Sequence, residues 1–209
     1  TTTITVDGTS PRVTITSPSA GNSSSATKNF NATVLEQNPE ASGTLQLTPV
    51  GQGATNYTLT NRSGNWGFTN LSMPDNQYTA KFMINDSFGN MNNTESVTFT
   101  VDTTKPAVLN ASVNDTSVSS TQIIQINISV TDLNRDDGSV NVSGNSGATN
   151  ISMTLLAGTA AIFQASTSAS SLGCSSDGTC TLTFAAKDAA GNLNASVTTT
   201  ITVDGTSPR

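Results

Sequence analysis

Histidine is absent from the 209 residues, and only 11% of them are charged. The commoner active sites draw on a histidine base, a nucleophile motif, a phosphate-cradling glycine loop or a paired set of acids. None of these patterns occurs, so the expectation is that the chain is not an enzyme. Four lysines and four arginines in a chain of net charge −6 give no basic stripe for nucleic acid. No apolar run approaches the roughly 20 residues that a membrane-spanning helix needs, so the chain is not itself membrane-spanning. No secretory leader is visible, and a segment from inside a repeating array would carry none. Tryptophan occurs once and cysteine twice.

What the chain has in abundance is threonine (36), serine (28) and asparagine (22). Apolar residues recur among them with period 2, which separates this composition from that of a disordered chain. The twelve residues TTTITVDGTSPR open the sequence at 1–12 and return unchanged at 198–209, an offset of 197. A looser copy, SVTFTVDTTKPAV, lies between them at 96–108. A recurrence of this length reads as a window on a tandem array, with the last strand and linker of one repeat at each end.

The repeat divides the chain into residues 1–11 (last strand and linker of a preceding repeat), 12–102 (domain 1), 103–204 (domain 2) and 205–209 (linker to the next). Each domain has the length of an Ig-like sandwich, about 100 residues. In the first stretch TTTITV, residues 1–6, is expected to be a strand because of its β-branched residues. Domain 1 then reads as seven short strands: RVTIT, KNFNATVLE, TLQLTPV, NYTLTN, NWGFTNL, QYTAKFMIND and SVTFTVD, with turns at 62–64 and 88–90. In domain 2, AVLNASV and QIIQINISVTD are strands, 140–172 is less sharply patterned, and a cysteine hairpin, TLTFAAKD and SVTTTITVD complete it. No segment carries a 3.6-residue apolar period, so no long helix is expected. The fold class is all-β, with two tandem Ig-like β-sandwich domains.

Residues 64–106 combine Gly64 with Trp66, Tyr78, a turn of Asp86 with Gly89 and Asn90, and Val101-Asp102 before Pro106. This stretch resembles the bacterial Ig-like, cadherin- or fibronectin III-like repeats of large prokaryotic surface proteins and adhesins. Domain 2 repeats the end of the pattern at Asp188, Gly191-Asn192 and Val203-Asp204, and departs from it where the cysteines replace the Trp and Tyr strands. The resemblance implies spacers, stalks and fibre modules. Trp66 and Tyr78 are expected in the core, and the linker prolines are expected to interrupt any ladder running between domains.

Thirteen Asn-x-Ser/Thr acceptors occur, at Asn22, Asn31, Asn56, Asn61, Asn70, Asn85, Asn92, Asn110, Asn114, Asn127, Asn141, Asn150 and Asn194, against about seven expected from composition. Residues i and i+2 share one face of a strand. Asn31 and Thr33 therefore oppose Phe30, Ala32 and Val34, and Asn127 and Ser129 oppose Ile126, Ile128 and Val130. Asn56 opposes Tyr57 and Leu59, and Asn150 opposes Ile151 and Met153. The acceptors fall on solvent faces, where covalent N-glycans could be carried.

Cys174 and Cys180 flank an Asp-Gly turn in CSSDGTC. A disulfide would staple that loop and imply an oxidising compartment; two reduced thiols are the alternative, and zinc lacks further ligands. No cofactor is expected apart from calcium, for which Asp132, Asn134 and Asp136 are weak candidates. The glycine of that loop falls one place late for an EF-hand and no glutamate closes it. The linker residues Asp7, Asp102 and Asp204 are a second calcium candidate. Taken together, the sequence reads as a structural repeat of an extracellular filament or giant cell-surface protein, partnered by identical neighbouring repeats or subunits. The density of acceptors suggests an archaeal source. An adhesin segment binding glycans or a surface partner is the alternative function, and a donor-strand-linked, pilus-like subunit the alternative assembly.

Overall fold

The computed structural model describes residues 2–40, 42–145 and 149–206, leaving aside the side chain of Asn70. The chain divides into two units, Thr1–Thr103 and Thr104–Arg209. Each is built of strands around its own core.

Unit 1 contains β1 (Arg12–Ser17), β2 (Gly21–Ser23), β3 (Thr27–Leu35), β4 (Ser42–Pro49), β5 (Thr55–Arg62), β6 (Asn65–Ser72), β7 (Asn76–Asn85), β8 (Met91–Asn92) and β9 (Ser96–Val101). They form one sheet in the order β1-β3-β6-β5-β4-β7-β9-β2, with β8 on β7. β1 and β2 stand at opposite ends of that order, yet only three residues separate them in the chain. The sheet must therefore curl until its two ends meet, and the curl encloses the core. Alternate residues of β3 and β7 point inward: Phe30, Ala32 and Val34, then Tyr78, Ala80, Phe82 and Ile84 are buried with Trp66 between the layers. Ser63 and Gly64 both take positive φ, 56° and 86°, in the tight turn that joins β5 to β6, the geometry a two-residue hairpin demands. The Tyr78 hydroxyl donates to the Pro74 carbonyl at 2.7 Å, closing the loop that leads into β7. Trp66 and Tyr78 thus both lie in the core.

Unit 2 contains β10 (Ala107–Val113), β11 (Ser117–Val118), β12 (Ile123–Thr131), β13 (Asn141–Ser143), β14 (Asn150–Ser152), β15 (Thr154–Leu155), β16 (Ile162–Ser168), β17 (Gly178–Lys187) and β18 (Leu193–Val203). Two sheets result, β10-β12-β16-β15 and β11-β18-β17-β13-β14. As β1 and β2 stand at opposite ends of the curled sheet of unit 1, β10 and β11 here lie in different sheets, β10 pairing with β12 and β11 with β18. Ile124, Ile126, Ile128 and Val130 of β12 meet Leu182, Phe184, Ile201 and Val203 in the core. The two short helices, Asp137–Ser139 and Ser170–Leu172, are single 3₁₀ turns.

Two expectations from sequence need correcting. Residues 2–6 belong to no strand, and Ile4 and Val6 are 81% and 86% exposed. A β-branched sequence supplies propensity but no partner, and a strand needs a neighbour to receive its backbone hydrogen bonds. The cysteines do not form a hairpin either. Cys174 follows the second 3₁₀ turn, while Cys180 sits in β17 opposite Ile201 of β18. Their disulfide is present and ties this loop onto the sheet. Gly144 lies so close beneath it that a Cβ would collide with the Leu172 carbonyl and the Cys174 sulfur.

Candidate functional site: the linker clamp

In unit 1 the turn after β7 reads Asp86-Ser-Phe-Gly-Asn90, and Gly89 takes φ +89°, a conformation that favours glycine. The Asp86 carboxylate is buried beneath this turn. It accepts the Phe88 and Asn90 amides at 2.9 and 2.8 Å and the Asn90 side-chain amide at 2.7 Å. Burial pushes its carboxyl up, but the Asn90 side chain and the Asn90 and Phe88 amides outweigh that and hold it below the usual carboxylate range.

The turn is bound on both sides. The Ser87 amide donates to the Asn38 carbonyl at 2.8 Å, which ties it to the loop after β3. On the other side Asn90 donates from the same Nδ2 to the Asp7 carbonyl at 3.1 Å. Asn38 donates from Nδ2 to Asp7 Oδ2 at 3.2 Å, and Asn92 donates from Nδ2 to the Pro11 carbonyl at 2.9 Å. Residues 7–11, Asp-Gly-Thr-Ser-Pro, are therefore gripped at both ends by asparagines more than 30 residues away in sequence. Asp7 also accepts the Thr9 amide and hydroxyl at 3.0 and 2.9 Å. The Thr9 amide is the main reason its carboxyl lies below the ordinary value.

The same device recurs in unit 2. Asp188 accepts the Ala190 and Asn192 amides at 2.8 and 2.9 Å and the Asn192 side chain at 2.6 Å, around Gly191 at φ +92°. The Ala189 amide donates to the Asn134 carbonyl at 2.7 Å, as Ser87 does to Asn38. Asn194 donates to the Pro106 carbonyl at 2.9 Å, as Asn92 does to Pro11.

Of the calcium candidates, Asp132 and Asn134 lie in this loop, which corresponds to Glu36 and Asn38 of unit 1. The Asp132 carboxylate accepts the Asn134 amide at 2.7 Å, and Glu36 accepts that of Asn38 at 2.9 Å. Asp136 stands apart and caps the first 3₁₀ turn through the Gly138 amide. In unit 1 one carboxylate oxygen each from Asp7, Glu36 and Asp86 lies within 4.8 Å of the others. Oxygen donors of this kind suit a hard divalent cation, though calcium takes six to eight ligands. Asp204 repeats the local turn of Asp7, accepting the Thr206 amide and hydroxyl at 3.1 and 2.9 Å. Sequence reasoning had marked the Asp-x-x-Gly-Asn turn as a conformational feature. It missed the gripping role of Asn38, Asn90 and Asn92, for which two copies of Asp-x-x-Gly-Asn-x-Asn were the available signal.

Among the thirteen acceptor asparagines, Asn22, Asn56, Asn110, Asn114 and Asn150 are exposed, and Asn31, Asn61, Asn85, Asn92, Asn127, Asn141 and Asn194 are half-buried. Asn70 lies on β6, with its side chain outside the described residues. Asn92 and Asn194 also accept, at Oδ1, the amide and hydroxyl of the Thr94 or Ser196 that completes their own triplet. Of the ten aromatic rings only Phe88 is exposed. No helix among the described residues is long and apolar enough to cross a membrane.

No curated protein sequence matches the chain. Among solved structures, a marsupial T cell receptor aligns over 92% of this chain and 72% of its own at 8% identity, with a TM-score of 0.54. The fibronectin(III)-like modules of Clostridium thermocellum CbhA align over 92% and 93% at 16% identity and TM-score 0.46. A tetra-tandem repeat from the extending region of a large adhesion protein aligns over 93% and 49% at 18% identity and TM-score 0.41. Residues 29–103 match the family described as Bacterial Ig-like domain. That span takes in most of unit 1 and the turn that grips Asp7–Pro11.

Proposed function

We propose that the chain is a load-bearing spacer, one structural repeat of an extracellular surface array whose neighbours are further copies of itself. The observation that carries this reading is the clamp. Unit 1 grips Asp-Gly-Thr-Ser-Pro at 7–11, and the same five residues stand at 204–208, directly after the last strand of unit 2. A linker that follows one repeat is thus written in the sequence that the next repeat holds. Fixing the linker at its carbonyls limits its bending and turns a string of sandwiches into a stalk, with length supplied by repetition.

The disulfide accords with an oxidising, extracellular setting. N-glycans on exposed acceptors would hydrate a surface that has few charges and would obstruct edge-to-edge pairing of sheets. The adhesin alternative has less support. A glycan-binding face would draw on a group of exposed rings, and Phe88 stands alone as one.

Glycopeptide mapping of the native material tests the proposal. Expected are sugars on the exposed acceptors and peptides that read from TTTITVDGTSPR directly into VTITSPSAG. Unmodified asparagines throughout would remove the glycan coat. Native polypeptides one repeat long would overturn the array.

A further inference from the structure

Each unit also holds the linker that leaves it. Asp177, immediately before β17, accepts the Gly205 amide at 2.7 Å. One residue earlier, the Asp204 amide donates to the Val118 carbonyl of β11 at 2.9 Å. Unit 1 closes in the same way. Asp75, immediately before β7, accepts the amide and hydroxyl of Thr103, both at 2.9 Å, and the Asp102 amide donates to the Ser23 carbonyl of β2 at 3.0 Å. In both units the carboxylate stands at the head of the strand that pairs with the last one, and takes the second amide beyond that last strand. The exit grip thus acts on backbone amides. The entrance clamp acts on other atoms: the Asp7 carbonyl, Asp7 Oδ2 and the Pro11 carbonyl. Asp7 and Asp204 begin the same five residues, so the two grips fall on one sequence and claim no atom twice. The local turn is common to both copies as well. Oδ1 accepts the amide and hydroxyl of Thr9 at 3.0 and 2.9 Å in one, and of Thr206 at 3.1 and 2.9 Å in the other.

We propose that the linker between consecutive copies is a shared joint, held at once by Asp177 and Val118 of unit 2 in one copy and by Asn38, Asn90 and Asn92 of unit 1 in the next. This rests on the array reading and deepens it, because it names the partner of the exit grip: the entrance clamp of a second copy of this chain. Asp177 is then a positioning residue for a neighbour it does not touch. Ordering Asp-Gly-Thr costs backbone entropy, which whichever grip acts first must overcome. The other grip then meets a linker already in shape and binds it more firmly. The coupling is reciprocal, so each of the two units steadies the other through the five residues they share.

The test uses two full copies in one chain, joined so that residues 198–209 of the first are residues 1–12 of the second. Such a chain has one interior linker, open to both grips, and one terminal linker, open to the exit grip alone. Hydrogen exchange of the Gly205 amide is compared at the two linkers by NMR. The interior amide is expected to exchange at least ~10-fold more slowly, the effect of about one hydrogen bond to a charged group. Asn38→Ala in the second copy takes away the side-chain bond to Asp7, and should abolish most of that difference. Asp177→Ala in the first copy should speed exchange of the interior Thr206 amide, whose acceptor is Asp204 and not Asp177. Equal exchange at the two linkers, or an interior linker indifferent to Asn38→Ala, overturns the proposal. Should Asp177→Ala unfold unit 2, Asn38→Ala decides alone, since it alters the other copy. Failure here would leave native peptides running from one repeat into the next, so it is told apart from failure of the array.

Discussion

Asn92 donates its side-chain amide to the carbonyl of Pro11, 81 residues earlier, and Asn194 does the same to Pro106, 88 residues earlier. Each bond joins the entrance of a unit to the turn beside its last strand. Asn92→Ala is expected to lower the stability of unit 1 by about 1 kcal/mol, the usual net value of one such bond. For a unit of about 100 residues this lowers the melting temperature by roughly 4–8 °C. Calorimetry of the full chain should show only the transition of unit 1 moving, and with Asn194→Ala only that of unit 2.

The same bonds rank the glycan acceptors. A sugar attaches at the Nδ2 that Asn92 and Asn194 direct at a proline carbonyl, while their Oδ1 is engaged by the Thr or Ser of the same triplet. Asn22, Asn56, Asn110 and Asn150 are exposed. Occupancy measured site by site should be higher in that second group than at Asn92 and Asn194.

Asp86 gives unit 1 a defined response to acid. Its carboxyl ionises below the ordinary range in the folded state because the Asn90 and Phe88 donors outweigh burial. The unfolded chain then binds the proton more readily, so the contribution to stability is complete above the unfolded value, about 3.9. It is lost as pH falls through the lower, folded value. Thermal unfolding followed from pH 6 to pH 2 should show the unit 1 transition falling below pH 4. The fall should be shallower in Asp86→Asn, which has no proton to take up at that position and is less stable at pH 6.

Gly144 tests the packing under the disulfide. Its amide donates to the Leu172 carbonyl at 3.0 Å, and no Cβ fits between that carbonyl and Cys174. Gly144→Ala should destabilise unit 2 by roughly 1–3 kcal/mol, the cost of overpacking a closed site. Replacing both cysteines by serine opens a loop of six-residue separation, and should cost about 2 kcal/mol by loss of chain restraint. Urea unfolding of the two variants would give both values.

The strand pattern was legible because this fold buries alternate residues. KNFNATVLE and QYTAKFMIND each announce their inner face, and β3 and β7 adopt it. The parallel pairing of the second short strand with the last strand was not legible. β2 and β11 are three and two residues long, too short for a period to emerge, and what pairs them is the position of the last strand. The clamp was half legible. Asp86, Gly89 and Asn90 were recognisable as a turn, but nothing local tells which distant carbonyl Asn90 or Asn92 will meet. Residues 2–6 illustrate the opposite limit, a strand sequence without strand structure, because pairing is a property of two segments and sequence propensity of one.

The parallel pairing of the second short strand with the last strand also decides how a pulled unit fails. β2 runs parallel to β9, with Gly21, Asn22 and Ser23 beside Phe99, Thr100 and Val101, and the Asp102 amide adds a bond to the Ser23 carbonyl at 3.0 Å. In unit 2, β11 lies parallel to β18 in the same way. Tension applied at the two ends of a unit drags such neighbours in opposite directions along their length. The bonds between them are then loaded together in shear rather than parted one after another as in a zipper. Rupture must break the whole patch at once, so a short parallel contact sets the force at which a unit gives way, and with it the rate of unfolding under load.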